Sequence, residues 1–200
     1  MKLLITAFDA FGGDEDNISQ TVLEALPEHV GETEVCKLLL PTVFGVAAER
    51  AIAAAEALRP DAIVCLGQAA GRKAITPERI AVNRMDATMP DNAGQQPRGE
   101  AIEPGGPEVC FSTLPNEVMV NAIHAEGVSA ALSDSAGTFV CNSLLYAMLR
   151  WATRQGSAIP CGFVHLPRPD GELDAEALVR ALTAALRVAA LDGKQKENAS

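Results

Sequence analysis

The chain has 200 residues, with 16 Lys and Arg against 26 Asp and Glu, a net charge of -10 and 48% hydrophobic side chains. That is the profile of a folded globular domain whose core needs no disulfide or metal staple, and it excludes a fibre, a repeat array or a low-complexity tail. The acidic balance and scattered basic residues also exclude a nucleic-acid binder and a protein held on an anionic membrane, since both need a concentrated positive field.

The first segment, KLLITAF (2–8), is an apolar run of strand length. The polar turn FGGDEDN leads from it into NISQTVLEAL, where Ile18, Val22, Leu23 and Leu26 fall at helical spacing. The pattern then repeats, with TEVCKLLLP as a strand, FGVAAERAIAAAEALRP as an Ala-rich helix and DAIVCLG as a strand apolar on both faces. Next, ITPERIAVN alternates as a short hairpin would. The polar, punctuated stretch MPDNAGQQPRGEAIEPGGPE that follows is long for a loop in a compact domain, which points to a lid or the wall of a subsite. LPNEVMVNAIHAEG predicts an amphipathic helix ended by Gly127, VSAALS a short strand, TFVCNSLLYAMLRWAT a helix, and IPCGFVHLP the last core strand. A final helix, DAEALVRALTAALRVAALDG, starts at an Asp174 cap and is expected to close near Gly193.

Strands apolar on both faces that alternate with helices predict an α/β fold, a three-layer sandwich with a mostly parallel, twisted central sheet and helices on both faces. No linker divides the chain, so residues 1–193 are expected to form one domain and 194–200 a disordered polar tail. No apolar run approaches the ~20 residues that span a bilayer, and Met1 opens no charged leader, so a cytoplasmic, non-membrane protein is expected.

In such a sheet ligands bind at the carboxyl edge of the strands. Phe8–Gly13, Gly67–Gln68, the first turns of the helix bearing Cys141, and His165 at the end of the last strand should all converge there. The five cysteines form no CxxC pair and have no adjacent histidine, which argues against a disulfide framework or zinc site. Cys36, Cys65 and Cys161 sit in strand-like apolar runs as small hydrophobes, and Cys110 has no partner in view. Cys141 and His165 are 24 residues apart, one helix plus a return strand, so both can face one crevice. A helix N-terminus and a nearby imidazolium would lower the pKa of Cys141 below the free thiol's. A packed thiol at Cys141 and a satisfied core histidine at His165 are equally compatible with the spacing, while His29 and His124 read as surface residues. A carboxylate is needed to hold the imidazole. Glu78 in ITPER is a candidate, or else a loop acid paired with Arg79 or Arg72, and Asp86, Asp91 and Asp9 are its rivals.

Four separated segments carry a family resemblance: ITAFDAFGGDEDNIS, GQAAGRKAITPERIAVN with MPDNAGQQP, FSTLPNEVMVNAI leading to SAGTFVCNSLLYAML, and GFVHLP. With TPER, PDNxGQQP and AGTFVCN in this order, the sequence resembles the type I pyroglutamyl peptidases, or pyrrolidone-carboxylate peptidases, up to residue 167. The resemblance implies a cysteine exopeptidase that removes an N-terminal pyroglutamyl residue from peptides without metal or organic cofactor, commonly as a homotetramer. It implies Cys141 as nucleophile, His165 as general base and acid, and Glu78 as the group orienting the histidine. It further implies that Phe8, Phe11 and Phe139 flank the lactam ring, with Gln68, Met89 and Val140 completing the substrate pocket. The sequence departs from the family pattern at Ala7 and Ala70, where an extra methyl stands near the expected ligand, and at Thr88, which occupies the place of a usual arginine. Two other readings are a lactam-binding protein without useful turnover and a nucleoside-phosphorylase-like enzyme of similar architecture. No evident phosphate cradle supports the latter.

Overall fold

Unbroken aliphatic runs build the inner strands of a computed structural model that describes residues 1–155, 159–169 and 174–197. In chain order the elements are β1 (Lys2–Phe8), α1 (Ile18–Ala25), β2 (His29–Val30), β3 (Thr33–Leu40), α2 (Val46–Leu58), β4 (Ala62–Gln68), β5 (Thr76–Glu78), β6 (Ile80–Val82), β7 (Met85–Asp86), β8 (Arg98–Glu100), β9 (Val109–Phe111), α3 (Asn116–Ala125), α4 (Val140–Arg154), β10 (Cys161–Leu166) and α5 (Ala175–Glu197). The central sheet has the order β2-β3-β1-β4-β10-β5. Its four inner strands are parallel, and β2 and β5 pair antiparallel at the two edges.

Because side chains alternate along a strand, each inner strand feeds two cores. Leu3, Ile5, Val64, Leu66, Val164 and Leu166 pack with α1, α3 and α5 on one face. Leu4, Phe8, Ile63, Cys65, Cys161 and Phe163 pack with α2 and α4 on the other. The expected three-layer α/β architecture is therefore present.

Helix ends tie the carboxyl edge together. Asn17 caps α1 by accepting from the Ser19 N–H at 3.0 Å, while its amide donates to the Asp9 carbonyl at 2.9 Å. The side-chain carbonyl of Gln68 accepts from the Ile18 N–H at 3.1 Å, so the start of α1 rests on the end of β4. Asp174 caps α5 as expected, accepting from the Ala177 N–H at 2.7 Å.

Three local expectations need correction. The stretch 75–83 is not a hairpin: β5 joins the central sheet beside β10, and β6 continues outward to pair with β9. A tight hairpin needs turn residues that tolerate positive φ, and TPERIAV has none. The segment VSAALS makes only isolated bridges, Ala130 to Ile75 and Ser133 to Glu78, because its Ser and Ala side chains offer little for a ladder to pack. Helix α5 runs to Glu197 rather than closing at Gly193; the good helix formers that follow outweigh one glycine, whose cost is about 1 kcal/mol. The remainder of the expected tail, 198–200, lies outside the described residues.

The long polar stretch is pinned rather than loose. Asp91 is buried and accepts from the backbone N–H groups of Phe44, Ala93 and Gln95 at 2.8–2.9 Å. Asn92 donates from its amide to the Ala10 carbonyl at 2.8 Å and the Asp9 carboxylate at 3.1 Å. Strands β7 and β8 pair within the same stretch. Among the described residues no helix is long and apolar enough to cross a membrane.

Candidate active site

His165 lies one residue from the end of β10, opposite Gly67 of β4 on one side and Thr76 of β5 on the other. The antiparallel run of β5 carries the Glu78 carboxyl back to it, and His165 Nδ1 is 2.7 Å from Glu78 Oε1. Both side chains are buried. An ionised carboxylate only accepts, so Nδ1 carries the proton and Nε2 is left as the basic nitrogen. The amide of Asn116 at the start of α3 donates to the Glu78 carbonyl at 3.2 Å. Arg72, in the β4–β5 connection, donates from Nη1 to the same Oε1 at 2.5 Å and from Nη2 to the Ser135 carbonyl at 2.7 Å. It also contacts the Thr76 hydroxyl.

Cys141 is the second residue of α4, and no side chain caps that helix at Phe139. The helix start therefore presents backbone N–H groups without a capping side chain from Phe139, the Cys141 N–H meeting that residue's own sulfur. The residue partly retains solvent access. Its sulfur packs against Gly67: a β-carbon there would lie 3.0 Å from Cys141 Sγ and 2.7 Å from Phe163 Cζ. The Phe163 ring in turn lies 4.7 Å from the imidazole of His165. Sulfur and imidazole therefore flank the same glycine and the same phenylalanine.

Electrostatics corrects the expected thiolate. Burial pushes the Cys141 thiol up to about 12, and the Glu78 charge adds to the rise. Burial also lowers His165, more than the hydrogen bond and charge of Glu78 raise it. Burial opposes ionisation of Glu78 too, but the hydrogen bond from His165, the Ser133 hydroxyl and the positive charge of Arg72 help to hold its carboxyl below the ordinary value. Burial thus favours the neutral forms of Cys141 and His165, while Glu78 is the group held towards its ionised form. The helix N-terminus was legible in the sequence; the packing of the sulfur against Gly67 was not.

The rival carboxylates have other partners. Asp9 accepts from the Thr42 N–H at 2.7 Å, Asp86 pairs with Arg84 at 2.8 Å, and Asp91 clamps its own loop. His29 has no contact with this cluster, and Nε2 of His124 meets the Ala130 carbonyl at 2.9 Å.

Around the expected substrate pocket, the rings of Phe11 and Phe139 lie 5.9 Å apart, tilted by 35°, and both are half-buried. Phe44, which sequence reasoning did not single out, sets its ring edge-on to Phe139 at 5.3 Å. Met89 reaches the turn after β1, where a β-carbon on Gly12 would come 2.6 Å from Met89 Cε; Gly12 also holds φ +67°. Phe8 and Val140 are 1% exposed and belong to the α2/α4 core. Gln68 uses its side-chain carbonyl on α1, as above. Ala7 sends its methyl into the opposite core, away from Cys141, and Thr88 and Ala70 are exposed.

Sequence reasoning also missed Asn142. It is wholly buried; its Oδ1 accepts from the Val82 N–H at 2.9 Å, and its amide donates to the carbonyls of Val82 and Arg84 at 2.9 and 3.0 Å. A lone Asn on the buried face of a largely apolar helix was the available signal.

A family profile described as pyroglutamyl peptidase matches residues 1–193. A pyrrolidone-carboxylate peptidase from Thermoanaerobacter sp. is 44% identical over 167 residues, which are 84% of this chain and 82% of the relative. Another from Levilactobacillus brevis is 40% identical over 196 residues, 94% and 96% of the two chains. The crystal structure of pyroglutamyl peptidase I from Bacillus amyloliquefaciens superposes with a TM-score of 0.91 at 38% identity, covering 96% of this chain and 98% of that one.

Proposed function

The chain belongs to the pyroglutamyl peptidase family and is a cysteine exopeptidase that hydrolyses the N-terminal pyroglutamyl residue from peptides; from that premise we propose that Cys141, His165 and Glu78 carry the reaction. The observation that supports the assignment most directly is the buried 2.7 Å contact between His165 Nδ1 and Glu78 Oε1 beside the sulfur-bearing glycine face.

The neutral resting pair sets the order of events. As Cys141 Sγ attacks the pyroglutamyl carbonyl carbon, its proton passes to Nε2 of His165, so the thiolate never has to exist alone in the dry site. Glu78 keeps the proton on Nδ1 and stabilises the imidazolium that forms. The carbonyl oxygen takes up negative charge at the start of α4, where backbone N–H groups donate to it. His165 then donates its Nε2 proton to the leaving amine nitrogen, the C–N bond breaks, and a thioester remains. In the second half water gives a proton to His165 and its oxygen adds to the thioester carbon. Collapse returns the proton to the departing sulfur.

Recognition follows from the chemistry of the lactam, which is flat and has no ammonium group. The neighbouring rings of Phe11 and Phe139 offer it an apolar surface, and Met89 with the turn at Gly12 closes one side. Residues 1–193 act as one catalytic domain in this reading. A homotetramer is part of it as well, supported by an outward sheet face that is entirely apolar: Ile80, Val82, Val109 and Phe111, the last 71% exposed. The five free thiols support a reducing, cytoplasmic setting.

The test is Cys141→Ala assayed on a fluorogenic pyroglutamyl amide. Turnover is lost while the circular-dichroism spectrum and melting temperature stay near those of the parent; a variant that turns over normally overturns the assignment. The same assay on the unaltered protein separates the enzyme from a binding protein that lacks turnover.

A further inference from the structure

Glu78 presents a single oxygen, Oε1, to two donors: Nδ1 of His165 at 2.7 Å and Nη1 of Arg72 at 2.5 Å. Its other oxygen, Oε2, is buried and has no close hydrogen-bond partner among the described residues, the Ser133 hydroxyl adding only to the general stabilisation of the carboxylate. A carboxylate removed from water needs a counter-charge. If the imidazole supplied it, His165 would rest as imidazolium and could not take a proton from Cys141. If neither group supplied it, Glu78 would be protonated and would no longer fix the histidine's tautomer.

We propose that Arg72 is a positioning residue of the catalytic site: its guanidinium supplies the permanent counter-charge that keeps Glu78 ionised, fixed on Nδ1 and free to leave His165 neutral. This rests on the assignment of Glu78, His165 and Cys141 above. The guanidinium is well placed for the task because it is held on three sides, by Glu78, by the Thr76 hydroxyl and by the Ser135 carbonyl. Its side chain is three-quarters covered, so solvent screens the pair incompletely. The Ser135 contact also ties the loop leading into α4 to the strand that carries Glu78. Arg72 therefore links the polypeptide on either side of the reacting centre.

The titratable groups that face this centre come from four elements: Glu78 of β5, Arg72 of the β4–β5 connection, Cys141 of α4, and His165 of β10, with the Cys65 thiol of β4 behind Cys141. Arg72 is the cation among them. Its charge favours neutral His165 and ionised Glu78 together, which is the protonation state that the first step requires.

The test is the pH profile of kcat/KM for Arg72→Gln and Arg72→Lys, with the fluorogenic pyroglutamyl amide as probe. In Arg72→Gln the acid limb moves to higher pH by about one unit, giving about tenfold less activity on that side of the optimum, and Arg72→Lys restores the limb towards the parent's position. An Arg72→Gln enzyme whose limb stays in place overturns the proposal, even if its plateau rate or melting temperature falls, because a merely structural residue would lower the profile without moving it. A second measurement needs no variant: nitrogen-15 NMR of the unaltered protein should find His165 neutral and protonated on Nδ1 at pH 7. An imidazolium at that pH would show that the histidine, not Arg72, balances Glu78. Neither outcome depends on the Cys141→Ala result, so failure of the catalytic assignment and failure of this one are separable.

Discussion

Asn142, the residue after Cys141, pairs its carboxamide with both backbone groups of Val82, so the first turn of α4 is joined to β6 as one strand is joined to another. β6 follows β5 after one residue, and β5 carries Glu78. Cys141 and Glu78, the proposed nucleophile and the proposed partner of its base, are thereby braced by a single stretch of backbone.

Asn142→Ala removes three hydrogen bonds and leaves buried backbone groups without partners, a loss of about 1–3 kcal/mol per unsatisfied group. Urea unfolding should read a destabilisation of that order, and kcat should fall together with it. Asn142→Asp should be no milder, because it sets a carboxylate against the carbonyls of Val82 and Arg84. A fully active, equally stable Asn142→Asp would contradict this account of the brace.

Gly67→Ala places a methyl within 2.7 Å of the Phe163 ring and 3.0 Å of Cys141 Sγ. The strand itself tolerates alanine, so the cost falls on the alignment of sulfur and imidazole. The expected result is a folded protein with kcat reduced by about a hundredfold, in line with the sensitivity of covalent catalysis to misplacement of roughly 1 Å. Near-normal kcat would mean that the sulfur does not react from the position it occupies here.

A thiol pushed up to about 12 should be slow to alkylate at neutral pH. Site-resolved mass spectrometry after iodoacetamide treatment is expected to give a Cys141 rate that keeps rising with pH beyond 9. A rate already on a plateau at pH 6 would reveal a resting thiolate–imidazolium pair and refute the neutral-pair mechanism.

Acid should weaken the fold through the same centre. His165 has its folded pKa lowered, so its contribution is complete above the unfolded value of about 6.5 and is lost as pH falls through the lower folded value. Glu78 is also lowered; its contribution is complete above the unfolded value of about 4.3 and disappears as pH drops through the folded one. Melting temperature should therefore begin to decline below about pH 6.5, and His165→Gln should flatten the first part of that decline. An unchanged slope in His165→Gln would place the acid sensitivity elsewhere.

The alternation of apolar strands and helices made the layers and the converging strand ends readable, and the motif segments carried Cys141, His165 and Glu78 together. Other features depended on contacts between distant segments. Nothing local in TPERIAV says that β5 will pair with β10 while β6 leaves for β9; the absence of a turn residue was the clue against a hairpin. Phe8 and Phe11 look alike in AFDAFGG, yet one is buried and the other half-exposed, since the strand ends between them. The direction of the Cys141 shift is not legible locally, because a helix start is visible in a sequence and the burial of the thiol against Gly67 is not.

The pinning of the polar stretch by Asp91 and Asn92 bears on how the enzyme chooses among peptides. In the proposed recognition, a lactam pocket walled by this stapled stretch behaves as a mould: it rejects a larger end group by shape, and it rejects an ordinary amino terminus because stripping water from an ammonium against apolar rings goes uncompensated. Discrimination would then be settled on entry, before any bond is strained, and would persist in a variant too slow to cleave what it admits.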